Sequence, residues 1–362
     1  MISDQYNIVS LAYLHSKINF FIEPSLSLDH VFDFFSTHFF INRGRHEEDR
    51  LADVYMTHNK EEFQTIDFNN GEDIYIRKSA TDYFTIPCKR VTVEGIEYVK
   101  CTKTDTILSF DKENKKIIIS TQLQNAEQDE LVLIEFIRDL VLKNEENHGV
   151  AVVHATSALK DDKATLIIGS KGKGKSTLLL ELVSKHGYKL ISGDKTFLWM
   201  EDGKLRASGW PDYPHLGLGT LSKYPEFVEH FGLSNKIESV KENLWSTEHK
   251  MAIDPVFFKK VIPFAEPGTS FMVECMIYPD LFPSTECGIK QVSNHGELIV
   301  PHIERIFTKG NTMWNHYIRP VHQNELERKI NQCIELAGKL SAFEVSGSGI
   351  LEGSVFSERY AL

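Results

Sequence analysis

Residues 164–187 constrain this chain more than any other stretch. A short run rich in β-branched residues, Ala164 to Ile168, leads into a loop with three glycines, and a leucine-rich segment follows, ending at Gly187. The order reads as strand, loop and helix with a C-terminal glycine cap. Gly169, Gly174, Lys175 and Ser176 complete a G-x-x-x-x-G-K-[ST] pattern across the loop. Glycines let successive backbone N–H groups turn toward one point, and the first turn of the helix adds unpaired N–H groups and a positive dipole end. Such a cradle suits the phosphates of a nucleotide. Its contacts are expected from Gly169, Ser170, Lys171, Gly172, Lys173, Gly174, Lys175, Ser176 and Thr177. Lys175 would reach the β- and γ-phosphates and the Ser176 hydroxyl would sit on Mg²⁺. Lys171, Lys173 and Lys175 crowd one tight loop, where like charges repel unless an anion neutralises them.

The rest of the composition narrows the class. A formal net charge of -11 over 362 residues argues against general binding to nucleic acid or anionic membranes, both of which need a basic surface. Cys88, Cys101, Cys275, Cys287 and Cys333 are scattered, odd in number and without a C-x-x-C pair, so they read as reduced thiols rather than a zinc site. The N-terminal segment lacks a basic stretch before a long apolar core, and no run reaches the length of a membrane span. A cytoplasmic protein is expected.

Two domains are expected, a β-rich one over residues 1–126 and a phosphate-loop domain over 127–362. In the first, hairpin turns at Glu94-Gly95 and at residues 111–114 separate β-rich runs, with a helix near residues 28–37. Residues 127–142 carry Leu131, Ile134, Ile137, Leu140 and Val141 at helical spacing, and a charged boundary follows at 143–148. A strand at 150–153 should end in His154, and the turn Lys160-Asp161-Asp162-Lys163 leads into the phosphate-loop strand. Beyond the loop come a strand at 188–192, a hairpin over 196–208, a turn-rich patch over 209–219, a helix at 224–231, strands near 261 and over 271–277, and a helix at 325–340.

Phosphoryl transfer needs more than a cradle. An acid at the end of a neighbouring strand holds Mg²⁺ or takes the proton of the nucleophile. Asp194 closes the apolar run Leu190-Ile191 and fits that place beside Ser176; an acid capping a turn is the plainer alternative. His154 could orient that carboxylate, or could be a structural histidine. Residues 210–215, with Trp210, Asp212, Tyr213 and His215, read either as a surface turn or as the lining of an acceptor site. Lys250, Arg206, Arg305 and Arg319 are candidate phosphate neutralisers, and sequence does not choose among them.

Residues 154–194 resemble the catalytic domain of the HPr kinase/phosphorylase family, whose fold is shared with phosphoenolpyruvate carboxykinase. In that family a strand ends in His, a hairpin follows, then the phosphate loop, its helix, and a strand carrying two acids. His154, Gly169 to Ser176 and Asp194 match in order. The resemblance implies an α/β core with a mixed sheet behind the β-rich N-terminal domain, ATP and Mg²⁺ as cofactors, Lys175 on the β/γ-phosphates, Ser176 and an acid on the metal, and Asp194 as base toward an acceptor hydroxyl. Two departures stand out. Gly193 occupies the place of the first acid, and Pro214 the place of a glutamate expected before the Leu216-Gly217-Leu218-Gly219 stretch, so Asp212 is a candidate substitute. The departures favour an acceptor other than HPr. Relatives include kinases of natural-product pathways, and the leading expectation is a kinase acting on a hydroxyl of a small molecule or peptide. A serine kinase of HPr or a similar carrier and a regulatory module that binds ATP without transfer remain alternatives.

Overall fold

The computed structural model describes residues 5–46, 49–79, 81–123, 126–246, 248–282, 286–293, 295–305, 317–318 and 323–351. They form a mixed α/β chain with two large sheets and a β-rich N-terminal region. Two compact units divide it, one comprising Met1–His148 and Arg305–Leu326, the other Gly149–Glu304 and Glu327–Leu362.

In the first unit nine strands among the described residues make one sheet: β1 (Asn7–Tyr13), β2 (Ser16–Ile22), β3 (Phe40–Arg43), β4 (Ala52–Thr57), β5 (Glu72–Arg77), β6 (Ile86–Val93), β7 (Ile96–Cys101), β8 (Ile107–Asp111) and β9 (Lys116–Ser120). Their order is β3-β1-β2-β4-β9-β8-β7-β6-β5. In β5 the period of two is plain, because Ile74 and Ile76 are buried while Tyr75 and Arg77 are half-exposed. Glu94 and Gly95 both take positive φ between β6 and β7, the geometry of a two-residue hairpin turn. Between β8 and β9, the Asn114 side chain donates to Asp111 at 2.7 Å.

Helices α1 (Asp29–Phe35) and α2 (Ala126–Asn147) belong to the same unit. A division at 126/127 would part α2 from its partners, whereas the compact units keep it with the first sheet. The reason is polar as well as apolar. The Thr106 hydroxyl donates to Asp129 at 3.1 Å, Arg77 pairs with Glu135, and the Ser16 hydroxyl donates to Glu145 at 2.6 Å.

The second unit holds β10 (Ala151–Lys160), β11 (Lys163–Ile168), β12 (Lys189–Ser192), β13 (Lys195–Glu201), β14 (Lys204–Gly209), β15 (His215–Gly217), β16 (Lys250–Ala252), β17 (Phe271–Leu281), β18 (Cys287–Gln291), β19 (Ile303–Glu304) and β20 (Ser341–Gly347). Its helices are α3 (Lys175–Lys185), α4 (Leu218–Leu221), α5 (Pro225–His230), α6 (Ser234–Ser239), α7 (Pro255–Phe258) and, from Glu327 onward, α8 (Gln323–Ala337). The sheet is mixed. β11 and β20 both run parallel to β17, and the other ladders are antiparallel. The leucines of α3 (178, 179, 180 and 182) are buried with Ile167, Tyr188 and Leu190 in one apolar cluster, which fixes the helix after β11.

Two expectations change here. β10 does not end at His154 but continues to Lys160, because Ala155, Ala158 and Leu159 are as buried as Val152 and Val153. The strand expected near residue 261 is a turn after α7. Val261 donates back to the Phe258 carbonyl, Pro263 has no N–H for a ladder, and a single bridge joins Phe264 to Leu190.

Candidate functional site

His154 marks a change of partner along β10. Residues 151–154 pair with β13, and Ser157, Ala158 and Leu159 pair with β12 on the same antiparallel edge. The link from β12 to β13 is Gly193-Asp194, so it must cross that edge beside His154. It does: His154 Nε2 lies 3.5 Å from Asp194 Oδ1, and each side chain is 40% exposed. Gly193 fits the crossing because a Cβ there would stand 3.3 Å from the Pro214 ring. The two departures noted in the sequence therefore touch one another, and the proline packs where a first acid would start.

The glycine-rich loop hangs between β11 and α3 and is tied to the end of β17. The Leu281 amide donates to the Lys173 carbonyl at 3.0 Å, and the Lys173 ammonium meets Asp280 at 2.6 Å. Gly174 has φ +98° and a Cβ on it would fall 2.6 Å from the Leu281 side chain, so only glycine suits both the turn and the approach. Of the three loop lysines, Lys173 is thus neutralised by protein and faces away, while Lys171 and Lys175 line a cleft of about 350 Å³. Lys175 Nζ donates to the Gly169 carbonyl at 2.7 Å, across the mouth of its own loop.

Ser170, Gly172, Gly174, Ser176 and Thr177 also line the cleft, with His154 and Asp194. Gly169 and Lys173 do not. A second wall comes from segments that motif reading undervalued: His215, Gly217, Gly219 and Thr220 on one strand-helix turn, Leu244, Trp245 and Ser246 on the stretch before β16, and Lys250 at its start. β15 and β16 hold these together, with Gly217 opposite Lys250. The Thr177 and Thr220 hydroxyls are 2.8 Å apart and join that wall to the first turn of α3.

Electrostatics follow from this crowding. Burial lowers the pKa of Lys175, with Asp194 opposing and Lys250 adding to the shift. Burial likewise lowers that of Lys250, reinforced by Lys171 and opposed by Asp194. His154 is lowered by burial, then raised by Asp194 and lowered by Lys175, which leaves a neutral imidazole at neutral pH. His302, which no sequence signal singled out, is also lowered by burial, with Lys175 and His154 as further causes. Among the described residues, no carboxylate forms an ion pair with Lys171, Lys175 or Lys250, and Asp194 is the one acid lining the cleft.

Of the four candidate neutralisers, the structure brings Lys250 to the site. Arg206 pairs with Glu201 at 2.9 Å on the β13–β14 hairpin, Arg305 does not line the cleft, and Arg319 lies outside the described residues. The 210–215 patch splits. Trp210 is buried and stacks on Phe197, with ring centroids 4.7 Å apart, whereas His215 reaches the cleft. Asp212 accepts from the Tyr213 amide at 2.8 Å and is not among the residues lining the cleft.

The donor set suits a phosphate-bound Mg²⁺ better than a free metal site. Among the described residues no three His, Cys, Asp or Glu side chains gather to hold an ion. Ser176 and Asp194 in one cleft match the habit of Mg²⁺ to take one or two protein oxygens and complete its shell with phosphates and water.

No family model and no curated protein matches the chain. Among solved structures it is similar in part to the HPr(Ser) kinase/phosphatase from Coxiella burnetii, at 17% identity and a TM-score of 0.22, over 36% of this chain and 59% of that one. The chain thus spans less than two thirds of that protein's length, and a likeness so slight leaves the chemistry to be read from the cleft's own residues. No described helix is long and apolar enough to cross a membrane.

Proposed function

We propose that the second unit is a phosphate-loop kinase core of the HPr kinase type, which binds ATP with Mg²⁺ and transfers the γ-phosphoryl group to a hydroxyl of a small molecule or peptide. One observation carries the reading: Lys171, Lys175 and Lys250 converge without carboxylate partners on a glycine-rich loop, and the Asp194–His154 pair faces the same cleft. Lysines gathered on one cleft, with Lys175 buried among them, are relieved by a polyanion. The loop amides and the N-terminus of α3 add donors at the same place.

In the transfer, Lys175 would leave the Gly169 carbonyl for the β- and γ-phosphate oxygens, and Lys250 with Lys171 would neutralise charge spreading over the moving group. Asp194 would accept the acceptor's hydroxyl proton as the new O–P bond forms and the bond to the β-phosphate bridging oxygen breaks. His154, neutral and beside it, would hold that carboxylate in line. Mg²⁺, held through Ser176 and Asp194, would supply charge neutralisation between the β- and γ-phosphates.

Calorimetric titration of the full chain with Mg·ATP, followed by γ-labelled ATP and a panel of alcohols, sugars and seryl peptides, tests this directly. A labelled phosphoester that disappears in Asp194→Asn supports transfer. Hydrolysis to ADP with no phosphoester from any class of acceptor supports a regulatory nucleotide switch instead. Absence of nucleotide binding sinks both.

A further inference from the structure

The cleft has an aromatic wall that phosphate chemistry leaves unused. Trp245 is 51% exposed and is the one Phe, Tyr or Trp among the described residues lining the cleft. Its indole lies against Gly219, where a Cβ would meet ring atoms at 2.6 to 3.0 Å, so glycine at 219 is what lets the ring lie on the wall. The Gly219 amide donates to the Leu244 carbonyl at 3.1 Å and fixes the segment that carries the ring. Lys223 holds its ammonium 5.0 Å from the indole centroid. Leu244 and Ser246 flank it.

The position of this wall matters. Lys175, Lys250 and the Asp194–His154 pair line one part of the same cleft, which we take as the β/γ end of a bound triphosphate. The Thr177–Thr220 contact joins the other wall one residue from Gly219. A triphosphate whose terminal group faces Asp194 would therefore direct its nucleoside along the first turn of α3 toward Trp245. Resting on the nucleotide reading above, we infer that Trp245, laid on Gly219, is the platform on which the nucleobase stacks. Among the described residues, those lining the cleft next to the ring, Leu244, Ser246, Gly219 and Thr220, are apolar or small and include no side-chain amide or carboxylate to read a base. Stacking alone accepts any purine face. The subsite would take adenine and guanine nucleotides with similar affinity.

The test uses the full chain with Mg²⁺ and three probes: ATP, GTP and inorganic tripolyphosphate. Trp245→Ala should weaken ATP and GTP by about tenfold each, the scale of one lost base–aromatic stack, and leave tripolyphosphate binding unchanged. Trp245→Phe should restore most of the loss. Tryptophan emission should be quenched by ATP in the parent chain and much less in Trp245→Phe. Unchanged ATP affinity in Trp245→Ala would overturn the platform, and so would an equal loss for tripolyphosphate, which signals a structural role for the ring. A rise in acceptor KM with ATP affinity intact would place Trp245 at the acceptor and also overturn it. Lys175→Gln in the parent chain separates the two levels: it should weaken all three probes, and if it weakens none the nucleotide reading itself falls, whatever Trp245 does.

Discussion

The buried helix of the first unit and the cleft of the second both crowd charge, and they resolve it in opposite ways. Along α2, Glu135 is shared by Arg138 at 2.6 Å and by Arg77, and Lys143, with no exposed side chain, meets Asp139 at 2.7 Å. Glu145 accepts from the His15 amide at 3.0 Å and the Ser16 hydroxyl at 2.6 Å. Burial pushes Asp139 up to about 7 against the pull of Lys143, so the pair is costly to bury, yet protein answers protein. In the cleft, Lys250 is repelled by Lys171 and repels Lys175, and none of the three forms an ion pair with a carboxylate among the described residues. Charge matched inside the fold holds the structure together, and charge left without an ion-pair partner on an open cleft is what supports the nucleotide reading proposed above.

The largest effect that could break this contrast is at Asp194. Asp194→Asn should lower phosphoryl transfer by about 10²- to 10⁴-fold, the usual worth of a positioned base. Nucleotide affinity measured without Mg²⁺ should rise, because one negative charge leaves the neighbourhood of Lys175 and Lys250. A variant with parental turnover on the true acceptor would refute the assigned role. In α2 the matching experiment is Glu135→Gln, which removes the carboxylate that Arg138 and Arg77 share. About 3 kcal/mol of stability should be lost on denaturant unfolding, as for a buried ion pair broken on one side, with ATP affinity unmoved. Next in size, Lys175→Gln should weaken Mg·ATP binding by about tenfold to a hundredfold, the range of charge-assisted hydrogen bonds, with the melting temperature preserved or raised.

Much of the second unit was legible because its signals are local. Glycine spacing, the Asp161-Asp162 turn and the leucines of α3 each fix a neighbour a few residues away, and the structure has the expected strand, loop and helix. What sequence did not reveal depends on distant segments. Lys250 stood level with Arg206 until the β15–β16 pairing put it opposite Gly217. No sequence motif singles out Trp245, because its seat depends on the missing side chain at 219. The continuation of β10 past His154 was hidden because the histidine marks a change of partner, from β13 to β12, rather than a strand end. β18 and β20 escaped notice because each is a short strand among glycines and serines whose pairing partners lie far away in the chain. In the first unit the hairpins were readable from their turns, but the attachment of α2 rests on Thr106, Arg77 and Ser16, residues remote from it in sequence.

The smallest effect sharpens the contrast most, because it reads the unmatched charge itself. In the free protein burial and mutual repulsion lower the pKa of Lys250, and burial lowers that of Lys175. A bound polyphosphate stabilises both ammonium groups and raises those values. The sign follows: between the lowered value of the free protein and the raised value of the complex, binding takes up protons, so affinity must fall as pH climbs through that alkaline window. Below it both lysines are charged in either state and the slope vanishes. Calorimetry of ATP binding in two buffers of different ionisation enthalpy should therefore show net proton uptake at alkaline pH and none from these groups near neutrality. Lys250→Gln should cost only about tenfold in affinity but should flatten the slope and, by removing a repelling neighbour, move the remaining Lys175 titration upward. An uptake unchanged by that substitution would mean that Lys250 does not face the phosphates, and the cleft's surplus charge would then need another explanation.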